Sequence, residues 1–387
     1  MTQLGHSPIQ PAPATRTPAA PERPKRDVRL DTVRGLLLLT MAVNHIESDV
    51  RLVTDHSLGF VSSAEGFIFL SGLIAGQTYT RRHEAQGLVS VWQSCRRRAV
   101  EIYIWHAATV LFTVAWCQIL IHAGRTELSR LPPLFATDPL QGVWAGLSLV
   151  YQPGLLDILP NYVGFMLLAP LVLHLCKMGK FWWVWAGSAL VWLFDQLLFS
   201  AQPYVHGVIN TGAFHFLSWQ WLFVTGLLLG NVRYRQSRLM RRPRLVTVAL
   251  ATSAAVFLWI IHHPRLPNWW GPEEIAALTN KTSLAPLRAI NFAVIAFLIA
   301  LTATARPRWF DIRVLSYLGK HSLSAFGAHV LATMIILAWP ESFETAHGRW
   351  LDTAAVIGSL FVGAWAGQFA QSRTSSAFAA SPPTAQL

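Results

Sequence analysis

Apolar stretches of about 20 residues, the length that a helix needs to cross a bilayer, recur along most of the chain. In lipid, only a helix or a closed barrel satisfies its own backbone hydrogen bonds. The pattern predicts ten transmembrane helices, with approximate bounds of 30–47, 59–80, 99–121, 155–176, 181–199, 213–232, 244–262, 284–305, 314–339 and 351–370. We therefore expect an all-α, polytopic membrane protein.

The two ends of the chain differ from this pattern. Residues 1–28 are rich in Pro and Ala and lack the apolar core of a secretory signal. Residues 371–387 are mostly small or polar. We expect both segments to be disordered tails that flank one transmembrane domain over residues 29–370.

Charge is sparse and unevenly distributed. Apolar residues make up 53% of the chain and charged residues 13%, which is about half the usual charged fraction of a soluble domain. Most Lys and Arg residues fall on one side of the predicted membrane, notably in 81–98, 233–244 and 306–313. Because positively charged loops stay in the cytoplasm, both termini are expected to be cytoplasmic. The net charge of +12 is thus a topology signal, and no nucleic-acid partner is expected.

Arg34 and His45 lie within the first predicted helix, where ionisable groups need a partner or a water-filled cavity. They are eleven residues apart, so they share one helical face and are separated by about 16 Å along the axis. Arg34 is then near the cytoplasmic end of the helix and His45 near its outer end. The alternative is that His45 is an interfacial residue, hydrogen-bonded to solvent.

Glu65 is predicted at a similar depth in the second helix, on a face of small and polar residues that runs from Ser62 to Gly76. A carboxylate beside an imidazole orients the ring and stabilises its protonated form, so Glu65 is a candidate partner of His45. The glycine spacing from Gly72 to Gly76 permits close contact with another helix. The alternative is a structural hydrogen bond from Glu65 to a neighbouring helix.

The third predicted helix begins with Arg96, Arg97 and Arg98 at its cytoplasmic end. Three adjacent guanidinium groups suit the phosphates of a nucleotide-like donor. They equally suit enforcement of topology or contact with anionic membrane lipid.

Further polar residues fall within or beside the later apolar stretches. They are Asp157, Trp219, Gln220, Lys320 and His329. With the residues above, they predict a polar channel from the arginine-rich side to His45. The chain has no glycine-rich phosphate loop, no serine nucleophile elbow and no pair of Cys or His at metal-ligand spacing, so we expect neither a metal site nor a bound cofactor.

Several short strings, taken in order, resemble the OpgC family, within the wider group of integral-membrane acyltransferases. The strings are Arg29-Leu30-Asp31 through Arg34-Gly35, Asn44-His45, Ala64–Gly72, Pro153–Pro160, Ser218–Gln220 and Gly319–Leu323 followed by His329. The resemblance implies an enzyme of the bacterial inner membrane that moves a succinyl group from cytoplasmic acyl-CoA to a hydroxyl of a periplasmic glucan. The wider group's catalytic histidine maps onto His45, and its basic third-helix start onto Arg97 and Arg98.

Combined with the residue chemistry, the resemblance assigns three groups of residues. His45 is the predicted general base, oriented by Glu65 or Asp157. Binding of acyl-CoA is predicted for Arg34, Arg96, Arg97, Arg98 and Lys320. Contact with the acceptor sugar is predicted for Trp219, Gln220 and His329.

Four alternatives stay open at this point. An acyl-enzyme intermediate on a histidine or serine could replace direct transfer, and related enzymes use acetyl or other acyl groups. A transporter or flippase of an anionic or glycan substrate would also need intramembrane charges. The carboxylate of a succinyl group could pair with Arg51, Arg288 or Lys281, and the sequence does not choose among them. No oligomeric state is indicated.

Overall fold

The computed structural model describes residues 26–125, 131–198, 205–206, 209–235, 244–263, 272–338 and 350–380. The helices of fifteen or more residues within these ranges are α1 (Val28–Asn44), α3 (Ser63–His122), α6 (Ile158–Lys177), α7 (Phe181–Leu198), α8 (Phe216–Arg235), α9 (Leu245–His262), α11 (Pro286–Ala305), α13 (Ser322–Ile336) and α14 (Trp350–Ala380). The shorter elements are α2 (Asp49–Thr54), α4 (Pro133–Thr137), α5 (Pro139–Leu147), α10 (Pro272–Thr279), α12 (Arg313–Lys320), a 3₁₀ turn (Pro307–Phe310) and an antiparallel pair of strands, β1 (Val205–His206) and β2 (Ile209–Asn210).

The helices confirm a mostly helical membrane protein. Among the described residues, five helices are long and apolar enough to cross a bilayer: those over Ser63–His122, Ile158–Lys177, Leu245–His262, Pro286–Ala305 and Trp350–Arg373. The count of ten spans and the cytoplasmic side of both termini stay predictions. Residues 1–25 and 381–387 lie outside the described residues, and α14 continues past residue 370 to Ala380.

Two predicted spans, 59–80 and 99–121, lie in α3, which consists of two helical segments that meet at a kink. The connection between the spans contains five Arg and two Gln, which are good helix formers, so both segments extend into this polar stretch. The kink lies at Gly87, whose backbone has φ 78° and ψ 178°. Only glycine readily adopts that conformation. The predicted span 314–339 is in turn divided at His321 into α12 and α13.

The predicted close contact at Gly72–Gly76 is confirmed, and the neighbouring helix is α8. A side chain at Gly72 would collide with the carbonyl group of Phe223, and one at Gly226 with the carbonyl group of Phe69. The two helix backbones therefore touch, as small residues at membrane helix crossings allow.

A similar crossing joins α1 to α12. A side chain at Gly35 would collide with the backbone of Leu315, and one at Gly319 with the backbone of Asp31. Helix α13 also packs against α1, α3 and α14, so it lies within the bundle. The residues of α7 and α9 are instead mostly exposed, including Trp183 at 80%, and form the apolar surface that lipid would cover.

Candidate active site

His45 lies directly after the last residue of α1, beside His329 in the middle of α13. Nδ1 of His45 is 3.2 Å from Nε2 of His329, and the two rings stack with centroids 5.3 Å apart and planes 14° apart. His329 is fully buried. The sequence assigned His329 to the acceptor sugar and proposed a carboxylate as the partner of His45. The structure instead makes His329 the hydrogen-bond partner of His45.

One ring nitrogen of the His45–His329 contact must donate and the other accept, because the two share a single hydrogen. Nδ1 of His329 is buried without a hydrogen-bond partner among the described residues. When Nδ1 of His45 is the donor, Nε2 of His45 is unprotonated and able to act as a base.

Glu65 is hydrogen-bonded to groups other than His45. Its Oε2 accepts from the backbone nitrogen of Ser62 at 2.9 Å and from the hydroxyl of Ser62 at 2.6 Å, completing a capping box at the start of α3. Its Oε1 accepts from Nη1 of Arg288 in α11. The carboxylate is fully buried and the guanidinium nearly so. The alternative interpretation, a bond from Glu65 to a neighbouring helix, is therefore the one that the structure supports.

Asp157 supports a loop. It is 3% exposed, immediately precedes α6, and accepts from the backbone nitrogen of Ala213 at 3.0 Å. That bond fixes the segment before α8, which carries Phe214. No hydrogen bond within the described part of the chain links Asp157 to His45. No direct contact therefore supports the prediction that Asp157 orients the imidazole.

Arg34 lies in the wall of a small open-sided cavity, with a volume of about 50 Å³. Its Nη2 donates to the hydroxyl of Ser71 at 2.9 Å, and the hydroxyl of Tyr162 donates to the same oxygen at 3.1 Å. Its Nε is buried without a partner among the described residues. A guanidinium with an unused donor in a cavity is suited to binding an anionic or carbonyl-bearing ligand.

The cavity is also lined by Arg98 of α3 and by residues of α6 and α13. Its lining includes Ile158, which directly follows Asp157, and Phe326. The ring of Phe326 packs edge-on against His329 with centroids 4.9 Å apart. One aromatic ring therefore lies between the cavity and His329. We call the end of the bundle that carries His45 the histidine end, and the end that carries Arg98 the arginine end.

Of the other predicted donor-binding residues, Arg98 also lines this cavity and is paired with Glu101 at 2.8 Å. Arg96 and Arg97 are exposed outside the cavity. Lys320 is exposed at the end of α12, and the cavity wall is formed there by Ser322 instead. The arginine end thus combines two partly buried cations in the cavity wall with three exposed ones.

Trp219 and Gln220 are buried, and their polar atoms are engaged within the protein. The indole nitrogen of Trp219 donates to the carbonyls of Lys281 and Thr282, each at 3.1 Å. The amide of Gln220 bonds to the hydroxyl and carbonyl of Ser188 in α7. Neither side chain has a free polar group for a sugar, so their predicted contact with the acceptor is not supported. Both instead hold α8 against its neighbours.

Sequence reasoning missed two members of the cavity, Ser71 and Tyr162. A serine beside Gly72 resembles the small residues of a helix crossing, and a tyrosine in an apolar helix resembles core packing, so neither gave a distinct signal. A buried Asp195–His215 contact at 3.2 Å, shared with Ser218, lies between α7 and α8. It ties the start of α8 to α7.

Comparison with known proteins gives one family match. The family model described as OpgC protein matches residues 26–373, which is nearly the whole described chain. No curated protein and no solved structure matches significantly. The family is associated with membrane acyltransferase function, and the buried histidine pair offers a base that such a reaction uses. Because the match covers the helical bundle from end to end, the chain belongs to the OpgC protein family.

Proposed function

We propose that the protein moves a succinyl group from cytoplasmic acyl-CoA to a hydroxyl of a periplasmic glucan, within the bacterial inner membrane. Both termini would be cytoplasmic, so that the arginine end faces the cytoplasm and the histidine end faces the periplasm. Acyl-CoA is a substrate in this scheme, and no bound cofactor is required.

One observation carries the proposal: the His45–His329 pair lies one aromatic ring from a cavity that Arg34 and Arg98 line. Acyl transfer across a membrane needs a base at one side and a site for a charged thioester at the other. The pair supplies a nitrogen lone pair on His45, and the cavity supplies cations at the opposite end.

In the proposed reaction, Nε2 of His45 removes the proton from the acceptor hydroxyl as the hydroxyl oxygen attacks the thioester carbonyl carbon. A carbon–oxygen bond forms, the carbon–sulfur bond then breaks, and the proton on His45 passes to the departing thiolate to give free CoA. His329 holds the ring of His45 in position through the Nδ1 hydrogen bond, and is thus a positioning residue. A well-placed general base contributes about 10²- to 10⁴-fold to a rate.

The cations of the arginine end would bind the phosphates of CoA. Arg34 and Arg98 lie in the cavity, while Arg96, Arg97 and Lys320 are exposed at the same end and would meet the outer phosphates or anionic lipid. The pantetheine arm is uncharged and would enter at the cavity, which must widen to admit it, with the acyl group directed towards Phe326.

The test compares three histidine variants in purified full-length protein, supplied with succinyl-CoA and glucan, by release of free thiol. We expect His45→Ala to lower the rate by about 10²- to 10⁴-fold. We expect His329→Leu to lower kcat and His329→Gln to retain more activity, because an amide oxygen can accept the His45 Nδ1 proton. His122→Gln is the matched control, since His122 is exposed at the end of α3.

Full activity of His45→Ala in protein that folds and inserts normally would refute the assignment of the base. A wild-type protein that releases no thiol but moves glucan or anions across vesicle membranes would favour a transporter. Labelled acyl-enzyme that accumulates without acceptor would replace direct transfer by a covalent route.

A further inference from the structure

Asn44, the last residue of α1 and the neighbour of His45 in the chain, is hydrogen-bonded through its side chain to the end of α2. Its Oδ1 accepts from the hydroxyl of Thr54 at 2.5 Å. Its Nδ2 lies 3.5 Å from Oδ1 of Asp55, at the outer limit of a hydrogen bond. The amide group of Asn44 therefore links the two helices directly beside His45.

The backbone alone holds the end of α1 weakly. The backbone nitrogens of His45 and Ile46 donate at 3.3 and 3.1 Å to carbonyls three residues earlier, which is the pattern of a helix end that frays readily. Ile46 is fully buried and anchors the chain after His45. The position of the imidazole therefore depends on this apolar anchor on one side and on Asn44 on the other.

Helix α2 has no buried residue, so core packing does not account for its position. Leu52 and Val53 are 83% and 75% exposed. Among the described residues, the side-chain hydrogen bond from α2 to α1 is the one between Thr54 and Asn44. That bond joins the two helices at the residue next to the candidate base.

We propose that Asn44 is a positioning residue for the acyl transfer: its bond to Thr54 holds the end of α1 where the imidazole of His45 lies against His329. This inference rests on the proposed function. A general base acts only within hydrogen-bond reach of the proton that it removes, and a displacement of about 1 Å can lower a rate by about 10²-fold. Asn44 and Thr54 act through the backbone of His45.

The test compares two variants at one hydroxyl group in purified full-length protein, supplied with glucan and succinyl-CoA. Thr54→Val keeps the shape of the side chain and removes the hydroxyl, whereas Thr54→Ser keeps the hydroxyl. We expect Thr54→Val to lower kcat by about 10- to 100-fold, and Thr54→Ser to retain most of the rate. The KM for succinyl-CoA should be unchanged in both, because other residues line the cavity.

Thr252→Val is the matched control. Thr252 is exposed on α9, where its hydroxyl donates to the carbonyl of Val248 in the same helix, so its loss is expected to change neither kcat nor KM. Equal losses of kcat in Thr54→Val and Thr54→Ser, an unchanged kcat in Thr54→Val, or a loss that appears in KM instead would overturn the inference.

Hydrogen exchange separates this inference from the proposed reaction, because it requires no turnover. We expect the backbone amides of residues 42–48 to exchange about tenfold faster or more in Thr54→Val than in the wild-type protein or Thr54→Ser, while the amides of α6 exchange at the wild-type rate and show that the variant is folded. An unchanged rate for residues 42–48 in Thr54→Val overturns the inference. A wild-type protein that releases no thiol refutes the proposed function, and the exchange rates then still decide whether Thr54 holds the end of α1.

Discussion

The buried ion pair of Glu65 and Arg288 gives a sharp test of how the histidine end is held together. Glu65 is 0% exposed and Arg288 is 6% exposed, so water cannot solvate the charge that remains when one partner is removed. Removing one partner of a buried pair costs about 3–5 kcal/mol of unfolding free energy, which is a change of roughly 10²- to several 10³-fold in the equilibrium constant. We expect a loss of that size for Arg288→Met.

The double variant Glu65→Gln/Arg288→Met removes both charges together. Glutamine retains an oxygen that accepts from the backbone nitrogen of Ser62, so the capping box at the start of α3 survives. We therefore expect the double variant to be more stable than Arg288→Met alone, with a coupling energy of roughly 1–3 kcal/mol between the two sites.

Unfolding is followed by the emission of the 17 tryptophans as micelles are titrated with a denaturing detergent. Glu101→Gln is the matched control, because the Arg98–Glu101 pair is 38% and 52% exposed and is expected to contribute only a few tenths of a kcal/mol. Strictly additive losses in the double variant, or an Arg288→Met variant as stable as Glu101→Gln, would refute the reasoning. A double variant that is stable but inactive would indicate that Glu65 acts directly beside His45 in the reaction.

Three further predictions concern the crossing of α3 and α8, the bend in α3 and the cavity. Gly72→Ala forces a methyl group into the backbone of α8, so we expect the free energy of unfolding to fall by about 1–3 kcal/mol in the same assay. Gly187→Ala is the control, because Gly187 has open space around it and the substitution is expected to be neutral or slightly stabilising. At Gly87 a methyl group has space around it, but the backbone conformation is one that only glycine readily adopts. We therefore expect Gly87→Ala to lower the free energy of unfolding by about 1–3 kcal/mol through backbone strain alone, and a loss near zero would show that the bend relaxes. Arg34→Gln removes a charge from the cavity wall, and we expect the KM for acyl-CoA to rise by about tenfold or more with a smaller change in kcat.

The sequence predicted the ends of a helix well where the apolar stretch stops abruptly at the helix terminus. For example, α11 begins at Pro286 and ends at Ala305, close to the predicted span 284–305. Between Arg81 and Arg98 the helical segments extend beyond the predicted spans up to the kink at Gly87, because the charged residues that end an apolar run are also good helix formers. Hydropathy reports where a segment leaves lipid, which is a different property from where its helix ends.

The site was predicted less well because hydropathy indicates the depth of a residue and leaves helix rotation undetermined. His45 and Glu65 were predicted at similar depth, which made them candidate partners, yet Glu65 is oriented towards Arg288. The spacing of Ser62 and Glu65 already had the form of a capping box, which was the signal for a structural role. The contact between His45 and His329 joins residues 284 positions apart, and local sequence pattern contains no information about it.

The choice between an enzyme and a transporter depends on what has to move. A transporter carries its whole substrate, so its helices must slide or rock against one another. Here α1 meets α12, and α3 meets α8, through backbone contacts at glycines such as Gly35 and Gly72, and close-packed contacts of this kind resist such motion. Acyl transfer requires less movement of the helices. The charged part of CoA stays at the arginine end, and cleavage of the thioester itself separates the acyl group from CoA. Phe326, which lines the cavity and contacts His329, is the side chain at which the two would have to be joined.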